Sequence, residues 1–100
     1  MKNLYEFYLS LGFDLNLVEN DLRYFSGDYT LKDGTKLVVI HTGDIHRLYS
    51  EKTGMVCFLI PNSYIEYNNV LLVQKILKIS VFFKGLFPKL YQQIVLLDTE

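Results

Sequence analysis

The 100-residue chain contains no alanine, one cysteine and two prolines. The single cysteine, Cys57, excludes an intrachain disulfide and lies in an apolar run that predicts a buried structural thiol. Alanine codons are GC-rich, whereas the abundant Tyr, Phe, Ile, Lys and Asn residues have AT-rich codons. We therefore expect a gene from an AT-rich genome, such as that of a phage or another mobile element.

The motifs of common enzyme classes are also missing from the sequence. There is no glycine-rich phosphate-binding loop, no nucleophile elbow and no Cys/His spacing typical of zinc ligands. A basic N-terminal region followed by an apolar run is absent too, so we predict no signal peptide and a cytoplasmic protein. These absences favour a non-enzymatic protein that uses no cofactor.

Hydrophobic residues, by contrast, are abundant: they make up 50% of the chain and exclude disorder. The length predicts a single domain over residues 1–100. The formal net charge of −1 gives no whole-chain attraction for nucleic acid. The charge is uneven, because residues 1–66 carry a net −3 and residues 67–100, with four lysines, carry +2.

Turn signals between residues 24 and 60 predict a four-stranded antiparallel meander. The first signal, Asp33-Gly34, favours a two-residue type I′ loop, because both central residues of that turn need a positive φ. Such a loop sets the register of the flanking strands and pairs Tyr29 with Val38.

Two further turn signals complete the meander. Gly43-Asp44 suits a two-residue type II′ loop, which sets His41 directly opposite His46. The third is a four-residue loop over residues 51–54, with glycine in the left-handed position. It sets Tyr49 against Val56 and Leu48 against Cys57.

These registers make the inner strands apolar on both faces. Val38 and Ile40 share the face of Phe25, whereas Leu37 and Val39 lie on the opposite face. A strand that is apolar on both faces is covered on both faces. We therefore expect the remaining segments to cover both sides of the sheet.

The N-terminal segment predicts a helix that packs on the sheet. Asn3 is placed to cap a helix over residues 4–11, which Gly12 would end. Its apolar residues recur at helical spacing on one side. They are Leu4, Phe7, Tyr8 and Leu11. We interpret residues 13–22 as a loop with one helical turn from Leu17.

Boundary signals predict a second helix over residues 70–84, with Asn69 before it and Gly85 after it. Alternation near its end also suits a strand, and we favour the helix. Lysines interrupt its apolar run, so it is not a transmembrane span. Pro88 suits the first turn of a last helix. The predicted fold class is α+β: an N-terminal helix, a four-stranded antiparallel meander at about 24–60, and one or two C-terminal helices.

His41 and His46, with Asp44 at the turn between them, form the only cluster with the character of metal ligands. Cross-strand neighbours are close enough for two imidazoles to reach one ion. A catalytic zinc site usually has three protein ligands, however. We interpret the histidines as a polar pair near a hairpin end and expect no metal.

Eight tyrosines favour a protein-binding function, because tyrosine is enriched at interfaces. We predict a small interaction protein that inhibits or regulates another protein. The predicted partner-binding residues are Tyr64, Tyr67, Phe83, Phe87 and Tyr91.

The same apolar C-terminal region predicts a homodimer. The helix over 70–83 and the phenylalanines after it offer more apolar area than one sheet face hides. Phe83 and Phe87 are the expected anchors of that dimer. If the region is instead the core of one chain, the partner surface lies on the meander.

The alternative function is that of a nucleic-acid-binding regulator. A basic face beside tyrosines Tyr67 and Tyr91 would contact phosphates and stack bases. The lysines of that face are Lys75, Lys78, Lys84 and Lys89.

Overall fold

The computed structural model describes residues 3–42, 45–52, 56–61 and 70–97, with the backbone alone for residues 56–61 and for Phe82. A helix opens the described chain, antiparallel strands follow in one sheet, and helices close it, which confirms the predicted α+β class. The elements are α1 (Leu4–Ser10), β1 (Asp14–Val18), β2 (Asp21–Thr30), β3 (Lys36–His41), β4 (Ile45–Ser50), β5 (Val56–Pro61), α2 (Val70–Ile79), α3 (Val81–Leu86) and α4 (Pro88–Leu96).

The strands form one five-stranded sheet in the order β1-β2-β3-β4-β5, so the four predicted strands are joined by an additional first strand. The predicted loop over residues 13–22 is therefore wrong. Leu15 and Leu17 alternate with polar neighbours at the period of a half-buried strand. The hairpin turns at Glu19 and Asn20, whose φ angles of 53° and 57° are both left-handed, as a two-residue type I′ loop requires.

The β2–β3 hairpin has a three-residue loop, so the predicted two-residue loop is wrong. The Leu31 N–H donates to the Thr35 carbonyl over 2.8 Å, and the Gly34 N–H donates to the Leu31 carbonyl over 2.9 Å. Gly34 alone in this loop has a positive φ, 88°. That pattern is typical of a turn closed by a glycine bulge. As a result, Tyr29 pairs with Leu37 instead of Val38.

This difference of one residue exchanges the faces of β3. Phe25 shares its face with Leu37 and Val39, and those three side chains are at most 1% exposed. We call this the inner face and the opposite one the outer face. On the outer face, Val38 and Ile40 are only half-buried. In the part of the chain that the structure describes, the prediction of two covered faces is therefore wrong.

The remaining registers agree in part with prediction. His41 lies opposite His46, as predicted, although the turn residues 43 and 44 are outside the described ranges. In β4–β5, Tyr49 pairs with Val56 as predicted. An irregularity between Leu48 and Tyr49 then shifts the ladder, so Leu48 pairs with Phe58 and the predicted pairing with Cys57 is wrong. The predicted burial of the Cys57 thiol lies outside the described side chains.

Helix α1 forms as the sequence predicts. Asn3 caps it, because its Oδ1 accepts the Glu6 backbone N–H over 2.8 Å. The predicted apolar stripe is buried, with no residue of it more than 4% exposed. The ring of Tyr8 lies 6.1 Å from that of Phe25, which places α1 against the inner face.

The C-terminal region is helical, but the predicted helix over 70–84 is divided at Ser80. Ser80 has an extended backbone with ψ 102°, and its Oγ accepts the Phe83 backbone N–H over 3.0 Å. A serine that caps a new helix competes with continuation of the old one. Pro88 then occupies the first turn of α4, as predicted. The C-terminal part thus contains three helices.

The helices and the inner face of the sheet form one hydrophobic core. Two hydrogen bonds tie α4 to α2: Tyr91 Oη donates to the Lys78 carbonyl over 2.7 Å, and Gln74 Nε2 donates to the Ile94 carbonyl over 3.3 Å. The core residues are Leu4, Phe7, Tyr8, Leu11, Phe13, Phe25, Leu37, Val39, Leu48, Val70, Val73, Leu77, Phe83, Phe87, Leu90 and Ile94. Among the helices described, none has the length and apolar character needed to cross a membrane.

Candidate functional site

Two surfaces of the sheet carry features that a plain structural sheet would not need. The first is a polar cluster on the inner face, next to the turn that joins β3 and β4. His41 Nδ1 and His46 Nδ1 lie 3.0 Å apart, and His46 Nε2 lies 2.9 Å from Tyr8 Oη. The two histidines are 1% and 0% exposed. The sequence placed them opposite each other, and α1 adds the tyrosine.

The surroundings of this cluster keep both imidazoles neutral. The Phe25 ring lies 5.1 Å from that of His41, and the Tyr8 ring lies 5.6 Å from that of His46. Burial lowers the pKa of His41 from 6.5 to about 4. Burial, and secondly the neighbouring His41, lowers the pKa of His46 to about 3. Near neutral pH, one proton is therefore shared between the two Nδ1 atoms.

The proton can be arranged along this chain of hydrogen bonds in two ways. If Tyr8 donates to His46, then His46 donates to His41, and the Nε2 of His41 carries a hydrogen. If His41 donates to His46, then His46 donates to Tyr8, and His41 Nε2 is a bare acceptor. That atom is buried and has no hydrogen-bond partner among the described residues.

The two histidines form a polar pair that is enclosed by the core and is not accessible to a substrate. A general acid or base must come within hydrogen-bond distance of its substrate, and these side chains are enclosed by the core. Within the described residues, no group of three or more His, Cys, Asp or Glu side chains is placed to hold a metal ion. Asp44, the third member of the predicted cluster, lies outside the described ranges.

The second feature is the apolar half of the outer face, on β3 and β4. Its side chains are half-buried and belong neither to the core nor to the layer packed against it. Val38 lies opposite Tyr49, and Ile40 lies opposite Arg47. We call this set the outer patch, and its residues are Val38, Ile40, Ile45, Arg47 and Tyr49.

Arg47 and Tyr49 form the polar part of the outer patch. The guanidinium carbon of Arg47 lies 4.4 Å from the centroid of the Tyr49 ring, which is a cation–π contact. Arg47 Nε is buried and has no hydrogen-bond partner within the described residues. The pair is thus held in place by stacking while a donor of the guanidinium remains unused.

The outer face is polar on its other half. There β1 and β2 present Asp14 opposite Asp28 and Asn16 opposite Ser26. Asp28 in turn lies opposite Val38 of the outer patch. An acidic margin therefore borders the apolar patch along β2.

Of the residues predicted to bind a partner, the three that the structure describes do not share an exposed surface. Phe83 and Phe87 are 0% and 2% exposed, and their ring centroids are 5.6 Å apart in the core of a single chain. Neither ring is available as a dimer anchor in this conformation, since both fill space between the helices and the sheet. Tyr91 is half-buried, and Tyr64 and Tyr67 lie outside the described residues.

The lysines of the alternative nucleic-acid site are spread over three helices. Lys75 and Lys78 lie on α2, whereas Lys84 is on α3 and Lys89 on α4. Lys84 Nζ lies 5.7 Å from the Tyr91 ring, whose hydroxyl already donates to the Lys78 carbonyl. Tyr91 is therefore occupied by contacts within the chain, and the nucleic-acid site stays a prediction.

Sequence reasoning missed the outer patch because it assigned Val38 and Ile40 to the same face as Phe25. Strand β3 is apolar at four consecutive positions, so its composition does not distinguish the two faces. The faces are set by the three-residue loop, which is one residue longer than the predicted loop and shifts the register of β3 by one.

Comparisons of the chain with protein-family models, with curated proteins and with solved structures found no match. Function is therefore inferred from the geometry of the chain's own residues.

Proposed function

We propose that this chain is a small non-enzymatic protein-binding domain whose outer patch is the contact surface. The observation that carries the proposal is the half-exposed apolar set on β3 and β4, which lies outside the core cluster. Antiparallel sheets with one covered face usually present polar residues on the other. Apolar residues in that position favour a partner that covers them.

The composition of the outer patch also favours binding. Tyrosine and arginine are over-represented among residues that dominate binding energy, particularly where apolar neighbours exclude water around them. Arg47 and Tyr49 are stacked, so both side chains are ordered before a partner arrives. Ordering in advance reduces the entropy lost on association.

The charges of the outer face indicate the chemistry of the partner. A carboxylate on the partner would pair with the positive charge of the Arg47 guanidinium, and a basic side chain would lie against Asp28 at the acidic margin. Apolar side chains at the centre of the partner's surface would cover Ile40 and Ile45. We propose a role as a cytoplasmic inhibitor or regulator from a phage or another mobile element, in keeping with the codon bias of the composition.

Affinity capture with matched variants tests this proposal. The immobilised chain is exposed to a lysate of the source cell, and retained proteins are identified by mass spectrometry. Ile40→Glu places a carboxylate in the centre of the outer patch and is expected to abolish retention of specific partners, because a buried unpaired charge is strongly unfavourable.

Ile79→Glu is the matched control. Ile79 is 76% exposed at the end of α2, and the helices cover the inner face, on the other side of the sheet from the outer patch. It should retain the same partners as the original chain. Circular dichroism on both variants confirms that the fold is kept. Equal retention by Ile40→Glu and Ile79→Glu would contradict the proposal.

A homodimer is the form of this proposal in which the partner is a second copy. Isologous pairing would place one outer patch on another about a two-fold axis. Light scattering should then give twice the chain mass of 11.7 kDa, and Ile40→Glu should return it to the monomer mass. A dimer that survives Ile40→Glu would place the self-interface elsewhere.

A further inference from the structure

A cleft lies where the β2–β3 hairpin meets the junction of α3 and α4. Its volume of about 350 Å³ is at the lower end of the range for small-molecule sites. Six of its lining residues are apolar or aromatic. They are Tyr29, Leu31, Leu86, Phe87, Pro88 and Leu90.

The charged residues that line the cleft sum to +1, from two lysines and Asp33. Lys32 lies on the hairpin and Lys89 on α4, and neither forms an ion pair with another described residue. The only acid in the lining is Asp33, whose Oδ1 accepts the Thr35 backbone N–H over 2.9 Å. That hydrogen bond holds the pKa of Asp33 below its usual value of 3.8, with Lys52 adding to the effect. Asp33 is thus engaged within its own hairpin.

The first turn of α4 adds backbone hydrogen-bond donors beside the cleft. Phe87 precedes the helix and cannot cap it with a side chain, and Pro88 has no N–H. The first backbone N–H groups of α4 are therefore those of Lys89 and Leu90, beside the apolar wall. Backbone donors at the start of a helix favour an anionic oxygen, and here they coincide with a cavity and two unpaired lysines.

We infer that this cleft binds a small amphiphilic carboxylate, with the apolar tail against Leu86 and Leu90 and the acid group between Lys32 and Lys89. The site shares only the β2–β3 hairpin with the outer patch, which lies on β3 and β4. It does not depend on the protein-binding role. Its volume is too small for a nucleotide cofactor.

An NMR titration of the full chain with sodium octanoate tests the inference. Saturable shifts are expected at amides of residues 29–33 and 86–90, with the largest at Lys89 and Leu90. A ligand of about ten non-hydrogen atoms should bind with a dissociation constant of roughly 1–10 mM. Octyltrimethylammonium, which has the same tail and the opposite charge, should bind at least about fivefold more weakly.

Substitutions divide the two parts of the site. Lys32→Gln and Lys89→Gln should each weaken octanoate binding roughly twofold to fivefold, the effect of one exposed ion pair. Lys75→Gln, an exposed lysine on α2 outside the cleft, should leave it unchanged. Ile40→Glu should also leave it unchanged, which separates this test from that of the outer patch.

Two results would overturn the inference. Equal binding of octanoate and octyltrimethylammonium would mean that the cleft selects only the tail. Shifts that fail to saturate below about 50 mM, or that map outside the cleft, would mean that no carboxylate site exists there.

Discussion

Each face of the sheet carries residues of a kind that would be expected on the opposite face. The inner face is packed under helices, yet it contains His41 and His46, which are 1% and 0% exposed. The outer face is half-exposed, yet β3 and β4 present valine, isoleucine and tyrosine there. Polar groups are tolerated inside because they bond to each other and to Tyr8. Apolar groups outside have no comparable compensation within the described residues, which is why they favour a binding surface.

The difference shows that burial, and not residue type, separates the faces of this sheet. The helices provide one layer of apolar side chains, and that layer packs against the inner face. Strand β3 could present either of its faces to that layer, since each carries two apolar residues of similar size. Four predictions follow from this comparison, in order of decreasing effect on stability.

The largest effect is expected from acid. The folded-state pKa values of about 4 and about 3 lie below the unfolded value of 6.5, so the unfolded chain binds more protons between them. The full stability should be present well above pH 6.5 and should fall as the pH falls from about 6.5 to about 4 for His41 and to about 3 for His46. At pH 5 the two histidines together should cost on the order of 4 kcal/mol. Urea unfolding at several pH values measures this loss.

The double variant H41L/H46F is the control for the acid effect. It removes both imidazoles and should flatten the dependence of unfolding free energy on pH between 6.5 and 4. If the double variant keeps the full loss of stability in acid, other groups cause it, and the inner face is not the acid-sensitive part of the fold.

A neighbouring pair of valines tests the assignment of the faces. Val39 is 0% exposed on the inner face, and Val38 is half-buried on the outer face. Val39→Ala should lower the unfolding free energy by about 1.5–3 kcal/mol, because it opens a cavity in the core. Val38→Ala should cost less than about 1 kcal/mol. The reverse order in chemical denaturation would support the two-residue loop and exchange the faces.

A glycine in β2 tests how the edge strand β1 closes the inner face. A Cβ at Gly27 would meet the Asp14 carbonyl oxygen and would lie 2.6 Å from Leu15 Cδ2. Gly27→Ala should therefore destabilise the chain by roughly 2 kcal/mol, since backbone must shift.

Gly85→Ala is the matched substitution, at a helical glycine with nothing within 4 Å of the added carbon. It should stabilise the chain by about 0.5–1 kcal/mol, because alanine loses less entropy in a helix. Thermal unfolding of the two variants gives the comparison directly. A neutral Gly27→Ala would mean that β1 does not lie against β2 as closely as described.

The smallest effect on stability is expected in the outer patch. Arg47→Ala removes the stacking contact with Tyr49, whose surroundings are partly solvated, and should change the unfolding free energy by less than about 1 kcal/mol. Retention of partners in affinity capture should nevertheless fall strongly. A large loss of stability would instead assign Arg47 a structural role and weaken the proposed function.

Much of the fold was predictable because local signals are strong. Asn3, Pro88 and the apolar stripe of α1 act within one or two turns of helix. Strand β1 was predicted as a loop, although Leu15 and Leu17 alternate with polar neighbours, because its turn at Glu19 and Asn20 contains no glycine. Ser80 is a possible helix cap in the sequence. A serine inside an apolar run ends one helix and begins another only where the packing of the two shorter helices is more favourable.

The candidate site was less predictable than the fold. The pairing of His41 with His46 followed from the sequence, whereas their burial depended on α1 and its Tyr8. The sequence predicts Phe83 and Phe87 as dimer anchors, because one long helix over 70–83 and the phenylalanines after it would carry more apolar area than one sheet face hides. In the structure, three short helices fold back on the same face and bury both rings.

By itself, the sequence determined the fold class, the cap of α1 and the opposition of the two histidines, since each depends on neighbours in the chain. Tertiary structure decided which side of β3 became the core. Both sides carry apolar residues, and the loop at Asp33 admits two conformations that differ by one residue in register. Only the packing of the helix layer against Leu37 and Val39 distinguishes them, because side chains on a strand change face together.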